Sequence, residues 1–315
     1  MENHWIFKEM KINKQILITG ITGFVGQNLN VYLADDFDVK GITRKGYNGL
    51  TYEAFLEGSN PYDVMIHLAG KAHDLKKTSN DKEYYEVNFE LTKKLYNQFL
   101  QSDAKQFIYI SSVKAVVDSI DGILTEDAIS NPITVYGKSK RMAEDYILAN
   151  LPETKKVYIL RPCMIHGPLN KGNLNLLFGL VQKGFPWPLG AFNNQRSFLS
   201  VENLCFVIKE LLIQETILSG VYNVADDDSI STNELVALIS KSQNKKVRIL
   251  SLPKNMIVSI AKAGDFLRLP LNLERLHKLT ESFVVCNLKI KQAINKPFPV
   301  NAKDGLLKTF TSFKM

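Results

Sequence analysis

Short, almost continuously apolar runs alternate with longer segments of helical periodicity through the first half of the chain. The apolar runs predict strands at 15–19, 38–43, 63–68, 106–111 and 156–160. Strands without an apolar–polar alternation are typical of a parallel sheet that is buried on both faces. Because these strands alternate with helices, the pattern predicts an α/β fold built on a doubly wound parallel sheet.

Three stretches predict helices, two of them through a signal at the N-terminal end. The stretch NDKEYYEVNFELTKKLYNQFL opens with Asn80 as a candidate N-cap and Glu83 three positions later, which is the capping-box arrangement. The stretch YGKSKRMAEDYILAN, residues 136–150, predicts a further helix. Ser231 with Glu234 predicts a second capping box in the C-terminal part of the chain.

Three glycines follow the first predicted strand, in the segment TGITGFVG. Gly20, Gly23 and Gly26 stand between that strand and a helix that begins near Phe24. Glycine lets a backbone turn tightly and approach a pyrophosphate closely, and the positive end of the following helix favours its charge. The segment therefore predicts a dinucleotide-binding loop in a Rossmann-type sheet, with a turn that binds no ligand as the weaker alternative.

The regular alternation of strands and helices ends after residue 165, where Gly/Pro-rich loops flank a short helix. After an N-terminal extension at 1–13, we expect a dinucleotide-binding domain at 14–165, with return segments near 196–226. A smaller α/β region for substrate binding would then comprise residues 166–195 and 227–315.

Composition narrows the class of protein. The 315 residues are 45% hydrophobic and 23% charged, which excludes a disordered chain. The net charge of +7 comes from scattered lysines, which disfavours a nucleic-acid partner and suits anionic small molecules. The three distant cysteines predict no metal site, and the lack of an apolar leader or membrane span predicts a cytoplasmic protein. Residues 254–278 mix apolar and basic positions, which fits a helix packed on the core or, less well, an amphipathic surface helix.

Tyr136 and Lys140 stand one helical turn apart, so their side chains share one face of the predicted helix. A tyrosine with its ordinary pKa of about 10 is a poor base at neutral pH, but a nearby lysine cation favours the phenolate. The pair therefore predicts proton transfer by Tyr136, with Lys140 as its electrostatic partner.

The glycine loop, a serine at position 112 and the YxxxK pair together resemble the short-chain dehydrogenases/reductases, in particular the extended branch of nucleotide-sugar epimerases and dehydratases. The segments DVMIHLAG, VNFELT and LRPCMIHGP match that family as well. The resemblance implies that Ser112 orients the reacting oxygen, that Tyr136 transfers the proton and that Lys140 also binds the nicotinamide ribose. It gives Asn88, in VNFELT, a mainly structural role.

The resemblance also implies the remaining cofactor- and substrate-binding residues. It implies no metal-binding site. Cofactor-binding residues would be Gly20, Gly23, Phe24, Val25, Gly26, Thr43, Arg44, Leu68, Ala69, Gly70, Tyr136 and Lys140. Substrate-binding residues would be Ser112, Lys114, Asn173 and Arg196. An arginine suits a diphosphate because its planar fork can bind two phosphate oxygens.

Three departures from the family pattern narrow the reaction. The 4,6-dehydratases carry an acidic pair where this chain has Val113 and Lys114, which disfavours dehydration of the sugar. Thr43 stands where NAD-binding members have an acidic residue, and Arg44 and Lys45 follow it. Loss of the carboxylate and gain of two cations favour NADP(H) over NAD. No third strand with its own acidic residue is recognisable before the strand at 63–68.

The resemblance places the chain among enzymes for bacterial surface-polysaccharide sugars, and family members are often homodimers. The preference for NADP(H) favours reduction of a UDP-linked 4-keto sugar, with a UDP-sugar 4-epimerase that recycles its hydride as the nearly equal alternative. A non-catalytic dinucleotide sensor is a further alternative, which the intact Ser112, Tyr136 and Lys140 disfavour.

Overall fold

The structure is a computed structural model that describes residues 14–46, 50–58, 61–72, 80–168, 170, 172–267 and 272–313. The N-terminal extension expected at 1–13 lies outside the described residues.

The described residues alternate strands and helices along the chain. The strands are β1 (Gln15–Thr19), β2 (Asp38–Ile42), β3 (Val64–His67), β4 (Gln106–Ile110), β5 (Ile123–Leu124), β6 (Lys156–Pro162), β7 (Met164–His166), β8 (Arg196–Ser200), β9 (Gly220–Val224), β10 (Ser229–Ile230) and β11 (Val284–Val285). The helices are α1 (Phe24–Leu33), α2 (Tyr52–Glu57), α3 (Asp81–Tyr85), α4 (Leu91–Gln101), α5 (Val135–Ala149), α6 (Asn173–Gln182), α7 (Val201–Ile213), α8 (Thr232–Ser242), α9 (Lys254–Leu267), α10 (Leu273–Thr280), α11 (Leu288–Ile294) and α12 (Ala302–Ser312).

The largest sheet has the strand order β2-β1-β3-β4-β6-β9. The pairs β1–β2, β1–β3, β3–β4 and β4–β6 are parallel, and β3 and β4 are buried along their whole length. This confirms the doubly wound parallel α/β fold. The chain reverses its direction of travel across the sheet between β1 and β3, and in such sheets a ligand binds outside the carboxyl ends of the two strands at that point.

The predicted strands agree with the observed ones within one or two residues at the end of each strand. The expected absence of a third adenine-side strand also holds for the described residues between β2 and β3. There the chain makes a single bridge from Thr43 to Thr51 and then forms α2.

The helix predicted at 80–100 forms, but its N-terminus and its middle differ from the simple pattern. Asn80 caps the helix by accepting a hydrogen bond from the Lys82 N–H (3.1 Å), while Glu83 forms an ion pair with Lys71 instead of completing the capping box. A π-helical turn at Glu86–Glu90 joins α3 to α4. Such turns are frequent at functional sites, and this one carries the fully buried Asn88.

Two compact units can be separated within the chain. The first comprises Met1–Ser111, Thr134–Leu160 and Leu218–Gly220. Its core lies between the sheet and α4, where Tyr96 and Phe99 pack on Phe107 with ring centroids 5.1 and 5.3 Å apart. This unit carries the glycine loop together with Tyr136 and Lys140.

The second unit comprises Ser112–Ile133, Arg161–Ile217 and Val221–Met315. It contains a three-stranded sheet in the order β10-β8-β7 and the parallel pair β11–β5. The capping box of Ser231 and Glu234 at the start of α8 is confirmed. Leu174, Phe178, Trp187, Phe198, Ile239 and Phe310 are among the side chains that build its core. The limits predicted for a cofactor domain and a substrate region stay predictions.

Candidate active site

The glycine loop after β1 packs against the turn after β3. Gly20 has a φ of +73°, and a Cβ added there would lie 2.7 Å from the Ala69 backbone nitrogen. A Cβ at Gly26 would lie 2.4 Å from the Gly20 carbonyl oxygen. Both positions therefore require glycine, because any side chain would push backbone against backbone. The two loops meet at the crevice where the order of the sheet reverses.

The end of α1 at this crevice offers amide groups to a ligand. Its first intrahelical hydrogen bond runs from the Gln27 N–H to the Gly23 carbonyl (2.9 Å), so the N–H groups of Phe24, Val25 and Gly26 precede the helical ladder. No side chain caps this end and no acidic residue lies in the first turn. A free, positive helix terminus behind a glycine loop fits the pyrophosphate of a dinucleotide.

Gly23 differs from the other two glycines. A Cβ there would meet only the Gly20 carbonyl oxygen, at 3.2 Å. This is a tight contact with backbone, although it is less severe than the overlaps at Gly20 and Gly26. A glycine here also leaves the backbone open to the close approach of a pyrophosphate.

A buried histidine ties β1, β3 and α4 together beneath the loop. The Thr92 hydroxyl donates to the Asn88 carbonyl (2.7 Å), so it accepts from His67 Nε2–H (2.9 Å). The other ring nitrogen, Nδ1, then accepts from the Thr19 hydroxyl (2.6 Å). Burial, with a smaller contribution from Lys140, lowers the pKa of His67 to about 3. His67 is therefore a neutral structural link and not an acid or base at physiological pH.

Asn88 connects the turn after β3 to the helix that carries Tyr136. Its amide oxygen accepts from the Lys71 N–H (2.7 Å), and its amide group donates to the Lys71 carbonyl (3.0 Å) and to the Ser139 hydroxyl (2.9 Å). Ser139 in turn donates to the Tyr136 carbonyl (2.8 Å). The π-helical turn thus places one buried amide where it holds both segments in register.

Lys140 reaches from α5 toward the same turn. Its side chain is 4% exposed, its Nζ donates to the Ile110 carbonyl (2.8 Å), and it lies 4.8 Å from the centre of the Tyr109 ring. A Cβ added at Gly70 would be 3.1 Å from Nζ, so Gly70 leaves room for the ammonium. Burial lowers the pKa of Lys140 to about 8, and Glu144 opposes that shift. The side chain therefore carries its charge at neutral pH and loses it in mildly alkaline solution.

Glu144 lies one turn beyond Lys140 on α5 and is fully buried. Among the groups around Lys140, the other titratable side chains are Tyr136 on the same helix, Tyr109 on β4 and the neutral His67 on β3. Glu144 is the carboxylate that favours the charged form of Lys140. The predicted catalytic pair thus rests on a third residue that the sequence pattern did not single out.

Glu144→Gln tests this dependence through the pH profile of kcat/KM. A lysine with a lowered pKa is charged below that pKa, so activity that needs the cation falls as the pH rises through about 8. Loss of the Glu144 carboxylate lowers the pKa of Lys140 further, and we expect the alkaline limb of the profile to move down by roughly one pH unit.

The matched control is Asp145→Asn, the next residue on the helix. Asp145 pairs with Arg141 at the surface (2.6 Å), so the same change of charge should leave the alkaline limb in place. Glu144→Asp keeps the carboxylate, so its alkaline limb should lie closer to that of the wild-type protein than the limb of Glu144→Gln does. An unmoved alkaline limb in a folded Glu144→Gln protein would show that Glu144 does not set the charge of Lys140.

The end of β2 carries Thr43 and the exposed Arg44, followed by the exposed Lys45. Tyr52, at the start of α2, connects this end to the glycine loop. Burial raises the pKa of Tyr52, while the Thr19 hydroxyl, the Arg44 guanidinium and the Gly20 backbone oppose the shift. Arg44 therefore lies within electrostatic reach of a side chain that borders the loop.

Ser112 and Lys114 belong to the second unit. Ser112 caps a short 3-10 helix (Val113–Ala115) by accepting from the Lys114 N–H (3.2 Å), and its side chain is 8% exposed. The hydroxyl proton of Ser112 stays available for another acceptor, since the cap uses only an oxygen lone pair. Val113 is buried and apolar, so no acid stands at this position.

Lys114 and Arg196 form a cationic cluster within the second unit. Lys114 Nζ donates to the Asp118 carbonyl (2.5 Å) and lies 4.6 Å from the centre of the Phe283 ring. Burial lowers the pKa of Lys114; the carboxylates of Asp118 and Glu281 oppose the shift and Arg196 adds to it. Burial also lowers the pKa of Arg196, against the attraction of Glu281. The two cations share Glu281, and Lys114 is also near the Asp118 carboxylate.

The Arg196 Nη1 donates to the Lys278 carbonyl (2.6 Å). Asn173 begins α6 with an exposed side chain. The substrate-binding roles of Ser112, Lys114, Asn173 and Arg196 stay predictions, as do the roles assigned to the cofactor-binding residues.

Several supporting residues were missed by the sequence analysis. Glu144 had a usable signal, since its spacing of four from Lys140 puts both on one helix face. His67, Tyr52 and Glu281 had none, because their partners lie on other elements far away along the chain.

A family model described as "NAD dependent epimerase/dehydratase family" matches residues 16–225, two thirds of the chain. The chain belongs to this family. It is therefore an NAD(P)-dependent enzyme of the extended short-chain dehydrogenase/reductase type, as the resemblance implied. Among the described residues, no group of His, Cys, Asp and Glu is arranged to hold a metal ion, and no helix is long and apolar enough to cross a bilayer.

Similar proteins of the family carry epimerase names. A protein of Vibrio cholerae named UDP-glucose 4-epimerase is 34% identical over 272 residues, which cover 78% of this chain and 80% of that protein. A protein of Escherichia coli O157:H7 named N-acetyl-alpha-D-glucosaminyl-diphospho-ditrans,octacis-undecaprenol 4-epimerase is 29% identical, with 77% and 76% covered. The crystal structure of UDP-N-acetylglucosamine 4-epimerase from Bacillus cereus superposes with a TM-score of 0.75 at 19% identity, over 96% of this chain and 100% of that chain, and shows the shared fold.

Proposed function

We propose that this protein is a UDP-sugar 4-epimerase that inverts the hydroxyl group at C4 of a hexose. The observation that carries the proposal is the buried, charged Lys140, one helical turn from Tyr136. Its ammonium group lies beside Gly70, in the turn that borders the proposed dinucleotide site. This is the arrangement required to form a phenolate next to a nicotinamide. The names of the similar proteins favour the epimerase over the reductase that the cation pair at 44–45 had placed first.

When bound, the dinucleotide would supply the hydride acceptor and donor for C4 of the sugar. Tyr136 would accept the proton of the C4 hydroxyl as the hydride leaves. It would return the proton after the sugar has rotated to present its opposite face. Lys140 would hold its positive charge beside the phenolate and stabilise it. Ser112 would donate a hydrogen bond to the same sugar oxygen and so orient it toward Tyr136.

The glycine loop would bind the pyrophosphate through the N–H groups of Phe24, Val25 and Gly26. Leu68, Ala69 and Gly70 would border the cofactor at the end of β3. Lys114 and Arg196 would bind the diphosphate of the substrate, for which a cationic cluster is suited. Asn173 would contact the same group. We also propose a homodimer, on the resemblance alone.

Dehydration of the sugar is disfavoured at a specific position. Elimination of water needs an acid and a base close to C5 and C6, and the chain offers the buried Val113 and the cation Lys114 where dehydratases have their acidic pair.

Reduction of a 4-keto sugar is the second candidate, and the observation that favours it is the cationic end of β2 at Arg44 and Lys45.

A substrate panel separates the two candidates. The purified protein is incubated with UDP-glucose and UDP-N-acetylglucosamine, with and without added NAD(P), and the sugars are resolved by NMR. We expect the C4 epimer to appear without net formation of reduced cofactor. A protein that instead consumes NADPH in proportion to a 4-keto sugar and forms no epimer would be the reductase.

We propose that the end of β2 accepts a 2′-phosphate, so that NADP(H) binds at least as well as NAD. Arg44→Ala should then weaken binding of NADP(H) by roughly 10- to 100-fold, the value of a charge-assisted hydrogen bond to phosphate, and change binding of NAD little. Titration calorimetry with both dinucleotides measures this. Lys40→Ala, an exposed lysine on the same strand, is the control. Equal losses for NAD and NADP(H) would contradict a 2′-phosphate site.

A further inference from the structure

The C-terminal end of α10 is held by side chains that come from other elements of the second unit. The last carbonyl groups of a helix have no partner within the helix, so groups outside it must satisfy them. Arg196 Nη1 donates to the Lys278 carbonyl (2.6 Å), and the Thr232 hydroxyl donates to the Leu279 carbonyl (2.7 Å). The negative end of the helix dipole also favours a cation at this point. The position of the Arg196 guanidinium therefore depends on where α10 ends.

Asn194 joins this helix end to the first turn of α8. Its amide group donates to the Thr232 hydroxyl (3.0 Å) and to the Glu281 carbonyl (3.1 Å), and its amide oxygen accepts from the Thr232 N–H (3.1 Å). Asn194 is 2% exposed and Thr232 is 5% exposed. Buried polar groups that lose their partners are costly, because water does not replace the lost hydrogen bonds. The two side chains therefore fix the end of α10 against the start of α8.

The stretch that follows α10 runs beside the cationic cluster. Arg196, the first residue of β8, forms a bridge with Phe283, and Lys114 Nζ lies 4.6 Å from the centre of the Phe283 ring. Glu281, two residues before Phe283, is the carboxylate that attracts both cations. The hydrogen bond from Asn194 to the Glu281 backbone therefore restrains the acidic residue of the cluster as well as the helix end that supports Arg196.

We propose that Asn194 is a positioning residue for the substrate site: with Thr232 it fixes the end of α10, and through that end the Arg196 guanidinium that would bind the diphosphate of the nucleotide sugar. The inference rests on the proposed function, from which it takes the role of Arg196. A guanidinium binds two phosphate oxygens at once only when its planar fork is correctly oriented. A side chain that is already restrained in the empty site loses less entropy when the ligand binds.

Asn203 offers a matched comparison within the same unit. It is fully buried, its amide group donates to the Asp226 carboxylate (2.7 Å) and to the Val300 carbonyl (2.8 Å), and its amide oxygen accepts from the Val300 N–H (3.1 Å). Asn203 therefore makes the same set of hydrogen bonds as Asn194, but to the segments that precede β10 and α12. Its loss should destabilise the second unit without removing a support of Arg196.

Calorimetric titration of the full-length protein with UDP tests the proposal. Asn194→Ala should weaken UDP binding by roughly tenfold, the lower end of the range for loss of a charge-assisted hydrogen bond to phosphate. Thr232→Val keeps the shape of the side chain without its hydroxyl and should weaken UDP binding by roughly threefold. Binding of NADH should change little in both variants, since the proposed dinucleotide site belongs to the first unit. Asn203→Ala should lower the melting temperature, as Asn194→Ala does, but leave UDP binding unchanged.

A double-mutant cycle separates positioning from general loosening of the fold. In an Arg196→Ala background, Asn194→Ala should change the dissociation constant for UDP by less than about twofold, because the guanidinium that it supports is gone. If Asn194→Ala does not fold, Thr232→Val takes its place in the cycle. The proposal is overturned if the single variant binds UDP like the wild-type protein, if the two losses add in full, or if Asn203→Ala weakens UDP binding as much. A wild-type protein that does not bind UDP would overturn the proposed function as well.

Discussion

Tyr136→Phe should lower kcat by about a thousandfold, the middle of the range for loss of a general acid–base group. The phenylalanine ring keeps the shape of the side chain at the start of α5 but cannot accept or return the C4 proton. The proposed dinucleotide site rests mainly on the glycine loop and the turn after β3, so the dissociation constant for the reduced cofactor should change only about as much as one lost hydrogen bond allows. Initial rates with UDP-glucose and a fluorescence titration with reduced cofactor measure the two quantities.

The matched control for this variant is Tyr146→Phe on the same helix. The Tyr146 hydroxyl donates to Asn97 (2.7 Å) and has no part in the proposed reaction, so its loss should affect stability slightly and kcat little. A Tyr136→Phe protein that turns over at more than a tenth of the wild-type rate would rule out Tyr136 as the proton carrier.

Gly26→Ala should weaken dinucleotide binding strongly while the rest of the fold persists. The new methyl group would lie 2.4 Å from the Gly20 carbonyl oxygen and 2.6 Å from the Ile21 Cα, so the loop must move away from α1. Overpacking of this kind costs about 1–3 kcal/mol of unfolding free energy. Because the displaced loop is the predicted phosphate cradle, we expect at least a tenfold loss of NAD affinity as well.

Gly179→Ala provides the comparison for Gly26→Ala. Gly179 also lies inside a helix, α6, and a Cβ there would meet no atom within 4 Å. Alanine favours helix over glycine by about 0.5–1 kcal/mol, so this variant should be slightly more stable than the wild-type protein and bind NAD normally. Equal behaviour of the two variants in thermal denaturation and NAD titration would refute the packing argument.

Much of the first unit could be predicted because its signals are local. A strand buried on both faces, a glycine loop and a helix start leave marks within a few residues of one another. The loop from Gly20 to Gly26 and the pair Tyr136 and Lys140 were therefore placed correctly on their elements. The lack of a further strand among the described residues between β2 and β3 agrees with the short connection in the sequence.

What the sequence did not show depends on contacts between distant segments. The capping box at Asn80 failed because Lys71, in a preceding loop, draws Glu83 away. Glu281 contributes to the Lys114 and Arg196 cluster from more than eighty positions further along the chain. The face of α9 that stays exposed is likewise decided by how the helix packs, since its periodicity alone fits both a core helix and a surface helix.

The most direct test of the central claim follows the hydrogen at C4. UDP-glucose with deuterium at C4 is incubated with the protein in ordinary water, and the product is examined by NMR and mass spectrometry. The proposed mechanism predicts UDP-galactose with the deuterium still at C4, because the hydride that leaves the sugar returns to it, and no net accumulation of reduced cofactor. Replacement of the deuterium by solvent hydrogen, or a 4-keto sugar formed in proportion to reduced cofactor with no epimer, would contradict it.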